Sequence, residues 1–169
     1  RTFTAGADIK GLEDLAWGAG SGAPEMHDVL AAIEQGPKPV VMALHGTALG
    51  GGLEVAMAGH YRVAVADAQM GQPEVNLGII PGAEGTQRLP RLVGVEKAID
   101  MCVTGKPIKA ADALRAGLID AIVEGDLVTG AVAFARDAAD RGGALPRTRD
   151  RADRLLAPEG LAAALASGA

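Results

Sequence analysis

The chain has almost no aromatic side chains, and this scarcity limits what its core can contain. Phe, Trp and Tyr make up 2% of the 169 residues, whereas apolar residues as a whole make up 49%. A chain of this length is one domain and is large enough to bury a core. That core must be built from Ala, Val, Leu and Ile.

Cysteine and long apolar runs are also scarce. The one cysteine, Cys102, permits no internal disulfide, which is typical of a reducing compartment. No apolar run reaches membrane-spanning length, and no signal-peptide pattern opens the chain. We therefore expect a soluble, cytoplasmic protein with no membrane partner.

The charges and histidines exclude two further classes of site. The net charge is −5 with both signs interspersed, which argues against a nucleic-acid partner. The three histidines are His27, His45 and His60, and none has metal-ligand spacing with another His, a Cys or an acid. We expect no metal site.

Helical and strand-like segments alternate along the chain, which predicts the α/β fold class. On the predicted helix over 24–35, one face carries Met26, Val29, Leu30 and Ile33. The predicted helices cover 7–17, 24–35, 53–59, 85–93, 95–105, 110–117 and 126–141, and the strands cover 38–45, 61–66, 68–71 and 118–123.

Two glutamates, 20 residues apart, lie next to glycine-rich backbone. Glu54 follows the run Gly50–Gly52, which predicts a tight turn that opens a helix and brings bare N–H groups up to a ligand. Because Glu54 lies one turn beyond Gly51, its side chain can share a face with that N–H. An anion-binding N–H beside a carboxylate suits a reaction that forms an oxyanion while a proton moves. Glu74 is the second acid.

Each of these motifs also has a simpler interpretation. Glu54 could be a solvated acid at a helix start, although a carboxylate in its apolar neighbourhood is costly without a task or partner. Glu74 alone is more typical of a surface loop. The segment 5–8 could be small-residue packing before a capped helix, and 82–85 could be only a turn.

Together and in this order, the motifs resemble the crotonase (enoyl-CoA hydratase/isomerase) superfamily. The resemblance covers most of the chain from Thr2 to about Arg141. Segments 58–63 and 145–150 are similar to the hydratase half of multifunctional β-oxidation enzymes, in which a 3-hydroxyacyl-CoA dehydrogenase follows. The matching segments are Ala5–Lys10, Gly46–Glu54, Gly71–Val75, Leu77–Gly82, Gly85–Gly94 and Thr104–Ala110.

The resemblance implies a crotonase-like spiral of ββα units over residues 1–149, lacking the N-terminal strands, and a C-terminal helical tail over 150–169. It implies an enzyme that hydrates the 2,3 double bond of a trans-2-enoyl-CoA thioester in fatty-acid β-oxidation. No cofactor is implied, since coenzyme A is part of the substrate. The implied partners are further copies of the chain, as a trimer or hexamer, or a fused dehydrogenase domain.

The resemblance also implies roles for particular residues. The backbone N–H groups of Ala7 and Gly51 would hold the thioester oxygen. Glu54 would activate water, Glu74 would exchange the proton at Cα, and coupling between them would raise the pKa of one. The implied substrate-binding positions are Ala5, Asp8, Ile9, Gly50, Pro73 and Gly82.

Two departures from the family pattern stand out. The chain begins at Arg1, just before the first oxyanion-hole segment, so we expect a piece of a longer protein without the upstream part of the CoA site. Glu84 stands where relatives often carry Gly or Arg, and adds negative charge near the pocket. The alternatives are an enoyl-CoA isomerase, another acyl-CoA enzyme of this family, or a non-catalytic acyl-CoA-binding fragment.

Overall fold

The computed structural model of the chain describes residues 2–6 and 25–155. Six helices and six short strands lie within these ranges, and single 3-10 turns cover Glu74–Leu77 and Thr148–Asp150. The helices are α1 (Met26–Gln35), α2 (Gly51–Ala58), α3 (Gly85–Val93), α4 (Val95–Thr104), α5 (Ala110–Ala116) and α6 (Leu127–Arg141). The strands are β1 (Val41–Leu44), β2 (Thr47–Leu49), β3 (Tyr61–Ala64), β4 (Gln69–Gly71), β5 (Ile108–Lys109) and β6 (Ala121–Ile122).

The strands form two three-stranded sheets, ordered β1-β3-β6 and β2-β4-β5. All neighbours in the first sheet are parallel, as are β2 and β4, whereas β5 is antiparallel to β4. The chain twice passes from the first sheet to the second and then into helical structure. Strands β1 and β2 precede α2, whereas β3 and β4 precede the 3-10 turn at Glu74–Leu77 and then α3. Residues 2–4 extend the second sheet, because Thr4 bridges Ala48 in parallel beside β2. The predicted α/β class is confirmed.

The core packs helices α2 to α5 against residues of both sheets, and it is aliphatic as the composition requires. Methionine contributes more than expected, because Met57, Met70 and Met101 are fully buried. Two of the few aromatic rings, Tyr61 and Phe134, meet edge to face with their centroids 5.4 Å apart. Neither ring belongs to the main core cluster. In the described residues, no helix combines the length and apolarity needed to cross a membrane.

Several predicted element boundaries were wrong. Strands β2 and β5 were not predicted, and α2 begins at Gly51, two residues before the predicted start. The predicted strands at 38–45 and 118–123 are shorter, with four and two residues. The apolar face of α1 is only partly buried, since Leu30 is enclosed but Met26 is 42% exposed. The predicted helix over 7–17 lies outside the described residues.

Candidate active site

A cavity of about 490 Å³ opens between the N-terminus of α2, the 3-10 turn after β4 and the loop before α3. Three of the predicted site residues, Ala7, Asp8 and Ile9, lie outside the described part of the chain. The remaining predicted site residues all line this cavity: Ala5, Gly50, Gly51, Glu54, Pro73, Glu74 and Gly82.

The glycine turn fixes the start of α2 at the cavity. Gly50 has φ 54° and ψ −128°, a backbone conformation that glycine adopts readily and other residues avoid. Its N–H donates to Gly71 O at 3.0 Å. The first helical hydrogen bond runs from Glu54 N to Gly50 O at 3.0 Å. The N–H of Gly51 therefore has no acceptor within α2, and it lies where the helix dipole favours negative charge.

Two of these glycines are required by close contacts within the protein itself. A Cβ atom on Gly50 would lie 2.7 Å from Glu74 Oε1, and one on Gly52 would overlap Thr4 O. The sequence predicted that missing Cβ atoms would admit a ligand. In the structure, the missing Cβ atom of Gly50 leaves room for the Glu74 carboxylate, and that of Gly52 leaves room for the segment 2–6.

Glu54 is buried, with 2% of its surface exposed. Its Oε1 accepts hydrogen bonds from the N–H groups of Ala83 and Gly85, both at 2.7 Å. Burial raises the pKa of Glu54, and these two hydrogen bonds oppose the rise without cancelling it. The simpler interpretation of a solvated helix-start acid was wrong.

Glu74 opens the 3-10 turn and is also buried, with 9% exposure. With the Gln72 amide oriented to satisfy its neighbours, its NH2 group donates to Glu74 Oε2 at 3.1 Å and Oε1 at 3.2 Å. Burial raises the pKa of Glu74, and the charge of Glu54 raises it further. The simpler interpretation of Glu74 as a surface-loop acid was therefore wrong. Gln72, which is fully buried, was missed because nothing in the sequence distinguishes it.

The coupling between the two acids differs from the expectation. Coupling was expected to raise one pKa, but both are raised, and burial is the largest cause at each site. The acid whose charge raises the pKa of Glu54 is Glu84, while His27 lowers it. Both pKa values are raised because burial removes the two carboxylates from water, which disfavours their charged forms. The apolar residues that line the same cavity are Met26, Leu77, Ile79, Ile80 and Ala83.

This arrangement is suited to proton transfer beside a developing negative charge. Two buried carboxylates with raised pKa can take up and release protons beside a bound substrate. The N–H of Gly51 can donate a hydrogen bond to an anionic oxygen in the same cavity. Within residues 2–6 and 25–155, no three His, Cys, Asp or Glu side chains gather as a metal site.

Comparison with known proteins matches this geometry to one family. The sequence profile described as enoyl-CoA hydratase/isomerase matches residues 1–148. A peroxisomal bifunctional enzyme of Cavia porcellus is 49% identical over 135 residues, which are 79% of this chain and 18% of that protein. A probable enoyl-CoA hydratase of Bacillus subtilis (strain 168) is 51% identical over 121 residues, 70% of this chain and 47% of that protein.

A solved structure gives the same result for the fold. The crystal structure of an enoyl-CoA hydratase from Bacillus anthracis superposes with a TM-score of 0.69 at 38% identity, covering 82% of this chain and 54% of that one. The chain spans less than half the length of the two curated relatives described above. The profile match and the superposition confirm the expected crotonase-like fold, and the chain belongs to the enoyl-CoA hydratase/isomerase family of the crotonase superfamily.

Proposed function

We propose that the protein adds water across the 2,3 double bond of trans-2-enoyl-CoA thioesters to give 3-hydroxyacyl-CoA. The observation that carries this proposal is the pair Glu54 and Glu74, both buried and both with raised pKa, on one apolar cavity. Hydration needs one group to take a proton from water and another to give a proton to carbon. The relatives named probable enoyl-CoA hydratase of Bacillus subtilis (strain 168) and enoyl-CoA hydratase from Bacillus anthracis also support the proposal.

The proposed step begins with Glu54 ionised and Glu74 protonated. The water oxygen bonds to C3, and its proton passes to Glu54. As the π bond between C2 and C3 opens, C2 takes the proton of Glu74. This leaves Glu54 protonated and Glu74 ionised, and return of a proton from Glu54 to Glu74 through solvent restores the enzyme, so that the net change is one added water. The two N–H groups on Glu54 favour its charged form, whereas the charge of Glu54 favours protonated Glu74, which supports this division of roles.

In the same step, negative charge develops on the thioester oxygen. We assign the N–H groups of Gly51 and Ala7 to hold this oxygen. Gly51 is assigned because it lies at the N-terminus of α2, and Ala7 is assigned because of the family resemblance. The proposed substrate-binding positions are Ala5, Asp8, Ile9, Gly50, Pro73 and Gly82. No cofactor is proposed beyond the coenzyme A of the substrate.

The test is to incubate the full-length protein with a short 2-enoyl-CoA in H2¹⁸O and in D2O. We expect ¹⁸O on C3 and deuterium on C2 of a 3-hydroxyacyl product, read by mass spectrometry. A product with a shifted double bond and no ¹⁸O would contradict hydration and support an isomerase. Binding without any product would support a non-catalytic acyl-CoA-binding chain.

We also propose that residues 1–149 form the catalytic domain and residues 150–169 a helical tail. Thr148 Oγ1 donates to Met57 O at 2.8 Å, which supports a boundary close to this contact. Assembly with further copies, as a trimer or hexamer, is supported by exposed Ile99 and Val103 on α4. Relatives named bifunctional enzymes support a fused dehydrogenase domain instead.

A cytoplasmic location is proposed on the single free cysteine, Cys102, which fits a reducing compartment. The alternative is a peroxisomal location, since two relatives are named peroxisomal bifunctional enzymes. Cell fractionation distinguishes the two, since recovery of the protein with peroxisomes would contradict the cytoplasmic proposal.

A further inference from the structure

Glu84 holds a backbone conformation that few side chains adopt. It caps the N-terminus of α3 with φ 68° and ψ 11°, in the left-handed region. Among the described residues, it is the one non-glycine residue with positive φ. L side chains avoid this region because Cβ approaches the following carbonyl oxygen, so the surrounding contacts must hold Glu84 there.

The N–H groups of the two residues that flank Glu84 bind the Glu54 carboxylate. The N–H of Ala83 and the N–H of Gly85 both donate to Glu54 Oε1 at 2.7 Å. A left-handed residue in a tight turn brings backbone N–H groups of neighbouring residues toward one side, which creates an anion-binding concavity. The conformation of Glu84 therefore helps to fix the direction of the Gly85 N–H relative to that of Ala83, so that both reach Glu54.

Ion pairs hold the Glu84 side chain in place. Arg88 donates from Nε to Glu84 Oε2 at 2.9 Å, and its Nη2 lies 2.7 Å from the same oxygen. Arg149 Nη2 lies 3.2 Å from Glu84 Oε1. The Glu84 side chain is 25% exposed, whereas that of Arg88 is 1% exposed.

The same two arginines are themselves fixed by Glu34, which is buried on α1. Arg88 binds Glu34 through two parallel hydrogen bonds, Nη1 to Oε1 at 2.6 Å and Nη2 to Oε2 at 3.0 Å. Arg149 Nε lies 2.8 Å from Glu34 Oε2. Two acids and two arginines thus join α1, α3 and the 3-10 turn at Thr148–Asp150. This cluster includes Glu84, whose two neighbours in the chain bind Glu54.

We propose that Glu84 is a positioning residue for Glu54. Its ion pairs with Arg88 and Arg149 hold the left-handed turn that aims the N–H groups of Ala83 and Gly85 at the Glu54 carboxylate. This sets the location and the proton affinity of Glu54 from outside the cavity. The consequence for turnover rests on the proposed hydration, whereas the consequence for the Glu54 carboxylate does not.

The test compares Glu84→Gly with Glu84→Ala. Both variants remove the same charge, but only glycine adopts the left-handed region freely. We expect Glu84→Gly to keep kcat within about threefold of wild type, and Glu84→Ala to fall about tenfold below Glu84→Gly with KM changed less than about twofold. The N–H bonds lower the pKa of Glu54, so their loss should move the acid limb of the rate profile to higher pH in Glu84→Ala than in Glu84→Gly.

A second readout does not depend on turnover. In ¹⁵N-labelled protein, the amide signals of Ala83 and Gly85 should follow the titration of Glu54 in the wild type and in Glu84→Gly. In Glu84→Ala, at least one of them should lose that response. If Glu84→Ala does not fold, Glu84→Asn and Glu84→Gln replace the pair, since asparagine tolerates the left-handed region and glutamine does not favour it.

Equal kcat and equal amide titrations in the two matched variants would overturn the proposal. So would a Glu84→Gly variant as impaired as Glu84→Ala, because the backbone conformation would then not matter. If the wild type does not hydrate enoyl-CoA but the amide titrations differ as expected, the proposed function fails and the positioning of Glu54 stands.

Discussion

Gly50 illustrates how a single missing side chain shapes this site. Its positive φ makes the turn into α2, and its bare Cα leaves room for the Glu74 carboxylate. These two requirements can be separated with Gly94, which also has positive φ but has no described atom within 4 Å of a Cβ atom placed on it.

We predict that Gly50→Ala and Gly94→Ala each lower the free energy of unfolding by about 1 kcal/mol or more, because both force alanine into a glycine conformation. Only Gly50→Ala should also lower kcat, by about tenfold or more, because its methyl group displaces Glu74. Urea denaturation and steady-state kinetics on both variants check this. Equal kinetic losses in the two would contradict the contact with Glu74.

The raised pKa values of Glu54 and Glu74 predict an effect on stability. A carboxyl group whose pKa is higher in the folded state favours folding more as the pH falls, and its ionised form is costly at neutral pH. Glu54→Gln and Glu74→Gln should therefore unfold at higher temperature than wild type near pH 7. The difference should shrink below the ordinary pKa of 4.5, where both states are protonated. Thermal melts at the two pH values check this, and a lower melting temperature at pH 7 would contradict it.

At the scale of elements, the pair Glu34 and Arg88 joins α1 to α3. Both side chains are 1% exposed. Burial alone would raise the pKa of Glu34, but the hydrogen bonds and charges of Arg88 and Arg149 lower it overall. Without Glu34, the buried Arg88 and its neighbour Arg149 would share the single carboxylate of Glu84, so the cluster would carry a net positive charge.

We predict that Glu34→Gln lowers the free energy of unfolding by about 3 kcal/mol near pH 7. Because the folded-state pKa is lowered, this stabilisation is present above the ordinary pKa of 4.5 and is lost as the pH falls through the folded-state value. The matched control is Lys97→Gln, which breaks the exposed pair with Asp100 and should cost less than about 1 kcal/mol. Equal losses in the two variants would contradict the structural role of Glu34.

Elements with local signals could be predicted from the sequence. Asp126 caps α6 by accepting from Thr129 N at 2.8 Å, and α5 ends at the left-handed Gly117. Strands β2 and β5 have three and two residues, and both depend on pairing with β4, with Thr4 adding a bridge on the other side of β2. Such pairing is a tertiary contact that no short segment encodes alone.

The same distinction applies to the site. Both glutamates could be identified because their flanking motifs carry the family resemblance. The N–H groups that bind Glu54 come from the backbone of Ala83 and Gly85, and backbone donors leave no mark in residue type. The left-handed Glu84 was noticed in the sequence only as an added charge, since its ion pairs come from distant segments.

At the scale of the whole molecule, the proposed assembly is the property to measure. The exposed face of α4 carries Ile99 and Val103, and the C-terminal tail carries Leu155, Leu156, Leu161 and Leu165 at helical spacing. We predict that light scattering on the full-length protein gives the mass of a trimer or hexamer. A strictly monomeric, active protein would contradict this.

A matched pair of variants tests which surface assembles. Val103 on α4 and Val128 on α6 are 66% and 67% exposed, so aspartate at either position meets the same solvent. We predict that Val103→Asp dissociates the assembly and that Val128→Asp does not. Dissociation by Val128→Asp alone would place the interface on α6 instead.

The two-glutamate mechanism is tested most directly by hydration kinetics of Glu54→Gln and Glu74→Gln, with the affinity for a saturated acyl-CoA measured in parallel. We predict that each substitution lowers kcat by about two to four orders of magnitude, while Kd stays within about threefold, because acid and base groups act mainly in the transition state. The exposed Glu124, changed to Gln, is the control and should leave both constants unchanged. Near-normal turnover in either Glu54→Gln or Glu74→Gln would contradict the account.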